Sequence, residues 1–178
     1  MVLSEIWHNR KVGVETLLNS IKFFYSHLTL LLVSLIPSTI RAIQMLHEDT
    51  PVLLEGIVFI TRIFLFILII IIMTKSNLHE LRNKSFWDKI TNSSANEFKK
   101  NWPYGFLAQI IVFVVFLFGI GNLLIVLFSH LFVEITSFPT FDTDAVYNAS
   151  VYFLKNMSVI PLTMVYIIYI CGLKPNKK

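Results

Sequence analysis

The sequence predicts an all-α polytopic membrane protein with four transmembrane helices, one or two interfacial amphipathic helices and both termini in the cytoplasm. Three observations carry that reading. Of 178 residues, 55% are hydrophobic, more than a soluble domain usually holds. The excess falls in blocks about as long as the roughly 20 residues that cross a bilayer. The Lys and Arg residues sort by loop, as the positive-inside rule requires.

The chain reads as a single membrane domain over residues 1–178. Its first element, 3–21, carries Leu3, Trp7, Val14, Leu18 and Ile21 near helical spacing, with Arg10, Glu15 and Lys22 among them. That pattern predicts a helix lying on the inner membrane surface. Its charges, with no apolar run before a small-residue site, argue against a cleaved signal peptide. The spans are expected at about 23–45, 52–73, 105–130 and 151–172. They are too long and too continuously apolar for barrel strands.

Between the second and third spans lies a cytoplasmic amphipathic loop, 75–102. Leu78, Leu81, Phe86, Trp87 and Ile90 alternate there with charges, and TNSSAN at 91–96 is expected to break the pattern. Trp102 and its neighbouring lysines suit the membrane interface. The likeness between KFFYSHLTLLL (22–32) and KNWPYGFLAQI (100–110) fits either two parallel repeats or a shared amphipathic bias.

Charge sets the orientation. Arg10, Lys11 and Lys22 precede the first span, Lys75, Arg82, Lys84, Lys89, Lys99 and Lys100 fill the middle loop, and Lys174, Lys177 and Lys178 end the chain. The other loops carry Glu48 and Asp49, and Glu134, Asp142 and Asp144. The net charge of +4 is thus assigned to anionic lipid headgroups, with no nucleic-acid partner. A composition rich in Ile, Phe, Asn and Lys points to the plasma (cytoplasmic) membrane of an AT-rich bacterium. That leaves the triplets Asn92-Ser93-Ser94, Asn148-Ala149-Ser150 and Asn156-Met157-Ser158 without meaning as glycosylation signals.

Polar residues inside the spans are the candidate sites. Arg62 interrupts GIVFITRIFLFILIIIIM, where a cation costs about 2.5–3.5 kcal/mol on insertion scales. Glu55 lies two helical turns back on the same face, so either a structural Glu55–Arg62 pair, direct or through water, or a snorkelling Arg62 is expected. The sharper alternative groups Arg41, Arg62 and Lys155, with the Asn122 amide, around an anionic headgroup in the outer half of the bundle. His130 and Glu134 share a helical face at i, i+4. With His47 they form a weak candidate metal site, without HEXXH or any other catalytic signature. Pro37 and Pro161 each remove a backbone hydrogen bond within a span.

No nucleophile arrangement, phosphate loop or cysteine pair is present, so no cofactor is expected. The leading expectation is a non-enzymatic accessory or assembly subunit of a membrane complex, associating with lipid and with its own copies or another membrane subunit. A small transporter or lipid-handling protein, and a metal-dependent membrane enzyme, are the alternatives.

Overall fold

A computed structural model describes residues 10–47, 49–136 and 141–175. The fold is all-helical among them. Four helices are long and apolar enough to cross a membrane: α2 (Leu28–Leu46), α3 (Val52–Thr74), α5 (Tyr104–Ile135) and α6 (Thr143–Ile170). Two more, α1 (Arg10–Ser26) and α4 (Lys84–Asn101), precede α2 and α5. At about 1.5 Å per residue, α5 and α6 are roughly 48 and 42 Å long, beyond the hydrocarbon thickness of about 30 Å. α5 runs five residues past the apolar block at 105–130, and α6 begins eight residues before the block at 151–172 and ends at Ile170.

α2 is the central helix, packed along α6 and α3, while α5 packs against α6 and α1. Small side chains make these approaches close. Ser34 and Ser38 are wholly buried in α2, and their hydroxyls donate to the carbonyls of Leu30 (2.8 Å) and Ser34 (2.6 Å). Lipid tails are as apolar as leucine, so interfaces in membranes gain from close backbone approach. Near the lysine-rich end, Phe24, Leu65, Ile69, Met73, Val165 and Tyr166 form the core. Tyr166 stacks on Phe113 with centroids 5.4 Å apart and donates 2.8 Å to the Gln109 carbonyl.

α1 packs on the bundle through a face other than its apolar stripe. Leu3 and Trp7 lie outside the described residues. Over the described part the buried face is Gly13, Thr16, Leu17, Ser20, Phe23 and Phe24, and the apolar Val14 and Leu18 are exposed. The burial pattern is rotated because the small residues let α1 press against other helices. A Cβ at Gly13 would lie 2.8 Å from Val112 Cγ2 and 3.0 Å from the Ala108 carbonyl oxygen. Gln109 Nε2 donates to Thr16 Oγ1 at 3.4 Å. Phe23 meets Tyr169 edge-on, with centroids 6.3 Å apart. α1 ends at His27, whose extended backbone separates it from α2. The His27 Nδ1 is 2.6 Å from the Phe23 carbonyl.

The middle loop departs in a different way. TNSSAN does not break it: α4 runs unbroken through 91–96. The amides and hydroxyls stay on an exposed helix that buries no residue completely. α4 buries no residue fully, whereas α1 buries six.

α4 is fastened to the chain beyond α6. Ser94 Oγ donates 2.7 Å to the Cys171 carbonyl, and Lys174 Nζ donates 2.7 Å to Glu97 Oε1. Gly172, at φ +78°, leaves no room for a Cβ, which would fall 2.8 Å from Glu97 Cβ. The hydrogen bond from Lys174 holds the Glu97 carboxyl below its ordinary value of 4.5. A depressed carboxyl stabilises the fold above its unfolded pKa and loses that contribution as pH falls through the folded one. Amide protection across 84–101, taken relative to an unstructured chain at the same pH, should therefore hold from pH 7 to about 5 and fall below about 4.5. Glu97→Gln should abolish that pH step. An unchanged step in the variant would show that Glu97 is not its source.

Candidate functional site

Arg62 is the eleventh residue of α3, about 15 Å along it from Val52 at 1.5 Å per residue. Its side chain crosses to α6, where Nη2 donates to Asn156 Oδ1 at 2.6 Å. Asn156 is 2% exposed, and its Nδ2 donates in turn to the Tyr152 carbonyl at 2.8 Å. That carbonyl borders a π-helical turn, Lys155–Val159, where widened winding leaves backbone oxygens for side chains to cap. Ser158 caps the Leu154 carbonyl in the same turn at 2.6 Å. One amide thus links a guanidinium in α3 to the backbone of α6. The Arg62 Nε is buried with no hydrogen-bond partner.

Glu55 is not paired with Arg62, as the two-turn spacing suggests it should be. Its two oxygens receive a forked pair of bonds from Arg41, with Nη2 2.7 Å from Oε2, and Gln44 Nε2 adds a bond of 3.3 Å. Gln44 Oε1 also accepts from Arg41 Nη1 at 3.0 Å. The planar fork of a guanidinium matches a carboxylate, and Arg41, at the end of α2, lies across the α2–α3 turn from Glu55. Arg62 remains within Coulombic reach of both groups.

The proposed cation cluster is thus divided. Arg41 is neutralised by Glu55 and Arg62 is held by Asn156. Lys155 is half-buried, with its ammonium 6.0 Å from the Tyr152 ring centre. Asn122 donates 2.7 Å to the Phe118 carbonyl of its own helix. The histidines engage aromatic rings: His130 lies 4.6 Å from Tyr147 and His47 5.8 Å from Phe141, between centroids. Glu134 is exposed. No three His, Cys, Asp or Glu among the described residues gather closely enough to hold a metal.

A cavity of about 760 Å³ lies at the end opposite α4, between the ends of α2 and α5 and the start of α6. Ala42, Phe128, Phe132, Ile135, Val146 and Ala149 are among its walls. The polar side chain among the lining residues is Ser150, and none of the candidate cations lines it. Its size is that of an ordinary ligand pocket, about 300–1,000 Å³.

Sequence spacing missed Asn156 because it reads only along one helix. The available signal was an amide inside a span at nearly the depth of a buried arginine: Arg62 is twelve residues from the end of α3 and Asn156 fourteen from the end of α6. Gln44, at i+3 from Arg41, was legible by the same rule.

Comparison with known proteins finds no matching family, no matching curated protein and no matching solved structure.

Proposed function

We propose that this chain is a non-enzymatic component of a bacterial cytoplasmic membrane: an accessory or assembly subunit that joins a second membrane helix through α5. The observation that carries the reading is the flank of α5. This helix is the least buried of the four long apolar helices. Near its middle sits Asn122, half-buried, with its amide bonded only within the helix. One turn away, Gly119 is exposed, and a Cβ there would meet only the Val114 carbonyl of α5, at 3.6 Å. An amide facing lipid favours a partner, and a small residue beside it lets another backbone come close. Elsewhere the intramembrane polar groups bind one another across α2, α3 and α6 and so hold the subunit together. Loop charge supports placing both termini and α4 in the cytoplasm.

Cysteine cross-linking in native membranes tests this. In a Cys171→Ser background, cysteines at Leu123 and Leu127 should capture a second chain, and cysteines at Phe59 and Ile63 of α3 should not. Asn122→Leu should weaken the association about three- to thirty-fold, the worth of one interhelical hydrogen bond in lipid. A monomer in mild detergent, uncross-linked at every α5 position in membranes, would discard the proposal.

A further inference from the structure

A second cavity, of about 420 Å³, lies at the lysine-rich end, between the end of α3, the first turns of α4 and the chain beyond α6. Its walls are of two kinds. Met73, Phe86, Ile90 and Leu173 supply an apolar side, while Glu80 and Lys89 bring a carboxylate and an ammonium to the same space. The volume falls within the range of ordinary ligand pockets, about 300–1,000 Å³.

Glu80 and Lys89 do not neutralise each other. Both are exposed, and no salt bridge engages either one among the described residues. Lys174 also lines the cavity, but it is held by Glu97, so that pair cancels. The lining therefore carries one free charge of each sign. An anionic occupant would face Glu80 uncompensated, and a cationic one would face Lys89. A head group holding both signs meets both walls.

Ser76 narrows the choice of cation. It is buried and lines the cavity. The Thr74 hydroxyl donates to the Ile70 carbonyl at 2.7 Å, and its oxygen also bonds to Ser76 Oγ. Thr74 has one proton to give, so Ser76 donates to Thr74 and keeps only lone pairs for a ligand. The Glu80 carboxylate likewise only accepts. Two acceptors suit a primary ammonium, which has three N–H donors, and form no such bond with a quaternary one.

We infer that this cavity binds a phospholipid with a zwitterionic, primary-amine head, phosphatidylethanolamine. The ammonium lies at Glu80 and Ser76, the phosphate at Lys89, and the glycerol and first acyl carbons along Met73, Phe86, Ile90 and Leu173. That apolar side favours the lipid over its free head group. The site makes no use of the α5 flank and stands apart from subunit association.

Native mass spectrometry of the delipidated full chain tests it. Phosphatidylethanolamine, phosphatidylcholine and phosphatidylglycerol of the same acyl chains are offered in equal amounts. Phosphatidylethanolamine should be retained about threefold over phosphatidylglycerol, the worth of one exposed ion pair. It should also be retained over phosphatidylcholine, whose head has no N–H to donate. Glu80→Gln should abolish the preference over phosphatidylglycerol, and Lys89→Gln should weaken retention of phosphatidylethanolamine about threefold. Both positions are exposed, where such changes seldom disturb a fold. Lys84→Gln, on α4 but outside the cavity lining, should change nothing. Glycerophosphoethanolamine, the same head without tails, should fail to displace the lipid when in excess. Displacement would assign the site to a soluble zwitterion and rule out the lipid. Equal retention of the three lipids, or a preference over phosphatidylglycerol that survives Glu80→Gln, would overturn the inference.

Discussion

Replacing Asn156 by leucine is expected to cost the folded protein about 2–4 kcal/mol, because it strands a guanidinium inside the bundle. Asn156 accepts the bond from Arg62 Nη2, and Arg62 Nε already lacks a partner. Without the amide, Arg62 must snorkel toward the far end of α3 or remain unsolvated among apolar side chains. The reciprocal change, Arg62→Leu, removes the charge and leaves a neutral carbonyl, while Asn156 Nδ2 keeps its bond to Tyr152. That loss should be nearer 1–2 kcal/mol. The double variant replaces both partners by apolar groups and should recover most of the stability lost in Asn156→Leu. Thermal unfolding of the detergent-solubilised protein should then rank wild type highest and Asn156→Leu lowest, with the double variant above Asn156→Leu. If Asn156→Leu melts like the wild type, or the double variant falls below it, Asn156 does not hold Arg62.

Gly13→Leu should detach α1 from the bundle. Two effects oppose each other at this position. Removing a glycine from a helix interior gains about 0.5–1 kcal/mol in backbone entropy. The added side chain, however, starts with a Cβ 2.8 Å from Val112 Cγ2 and 3.0 Å from the Ala108 carbonyl oxygen. The first atom belongs to a side chain and can be trimmed, but the second is backbone and cannot. Overpacking of this kind costs about 1–3 kcal/mol, so the clash outweighs the entropy. Limited proteolysis should cut the variant within residues 10–26 at protease levels the wild type resists. Gly13→Ala combined with Val112→Ala should resist cleavage nearly as well as the wild type. A protected Gly13→Leu would mean that α1 does not bear on α5 at this point.

The spans were legible because bilayer thickness imposes a length on apolar runs, and little else in the chain is apolar at that length. The relation between helices was not. Residue 62 sits in so uniform a run that spacing alone offers it Glu55, seven residues back. The acid instead goes to Arg41 because the α2–α3 turn brings the two helix ends together. In α1 the apolar Val14 and Leu18 stay exposed while the close-packing residues Gly13, Thr16 and Ser20 turn toward the other helices, a second face that apolar spacing does not mark. The apolar cavity had no sequence signal, because its walls come from three helix ends whose apolar residues look like ordinary span.

The seat of Gly13 against Val112 has a consequence for biogenesis. Ninety-nine residues separate the two positions. At elongation rates of about 5–20 residues per second, roughly 5–20 seconds pass between the synthesis of one and the other. For that interval α1 has left the ribosome while its docking partner does not yet exist, so an insertase, a chaperone or the lipid surface must shelter Leu17, Phe23 and Phe24. Nascent chains arrested before Tyr104 should expose α1 to protease, and chains arrested after α5 has entered the bilayer should protect it.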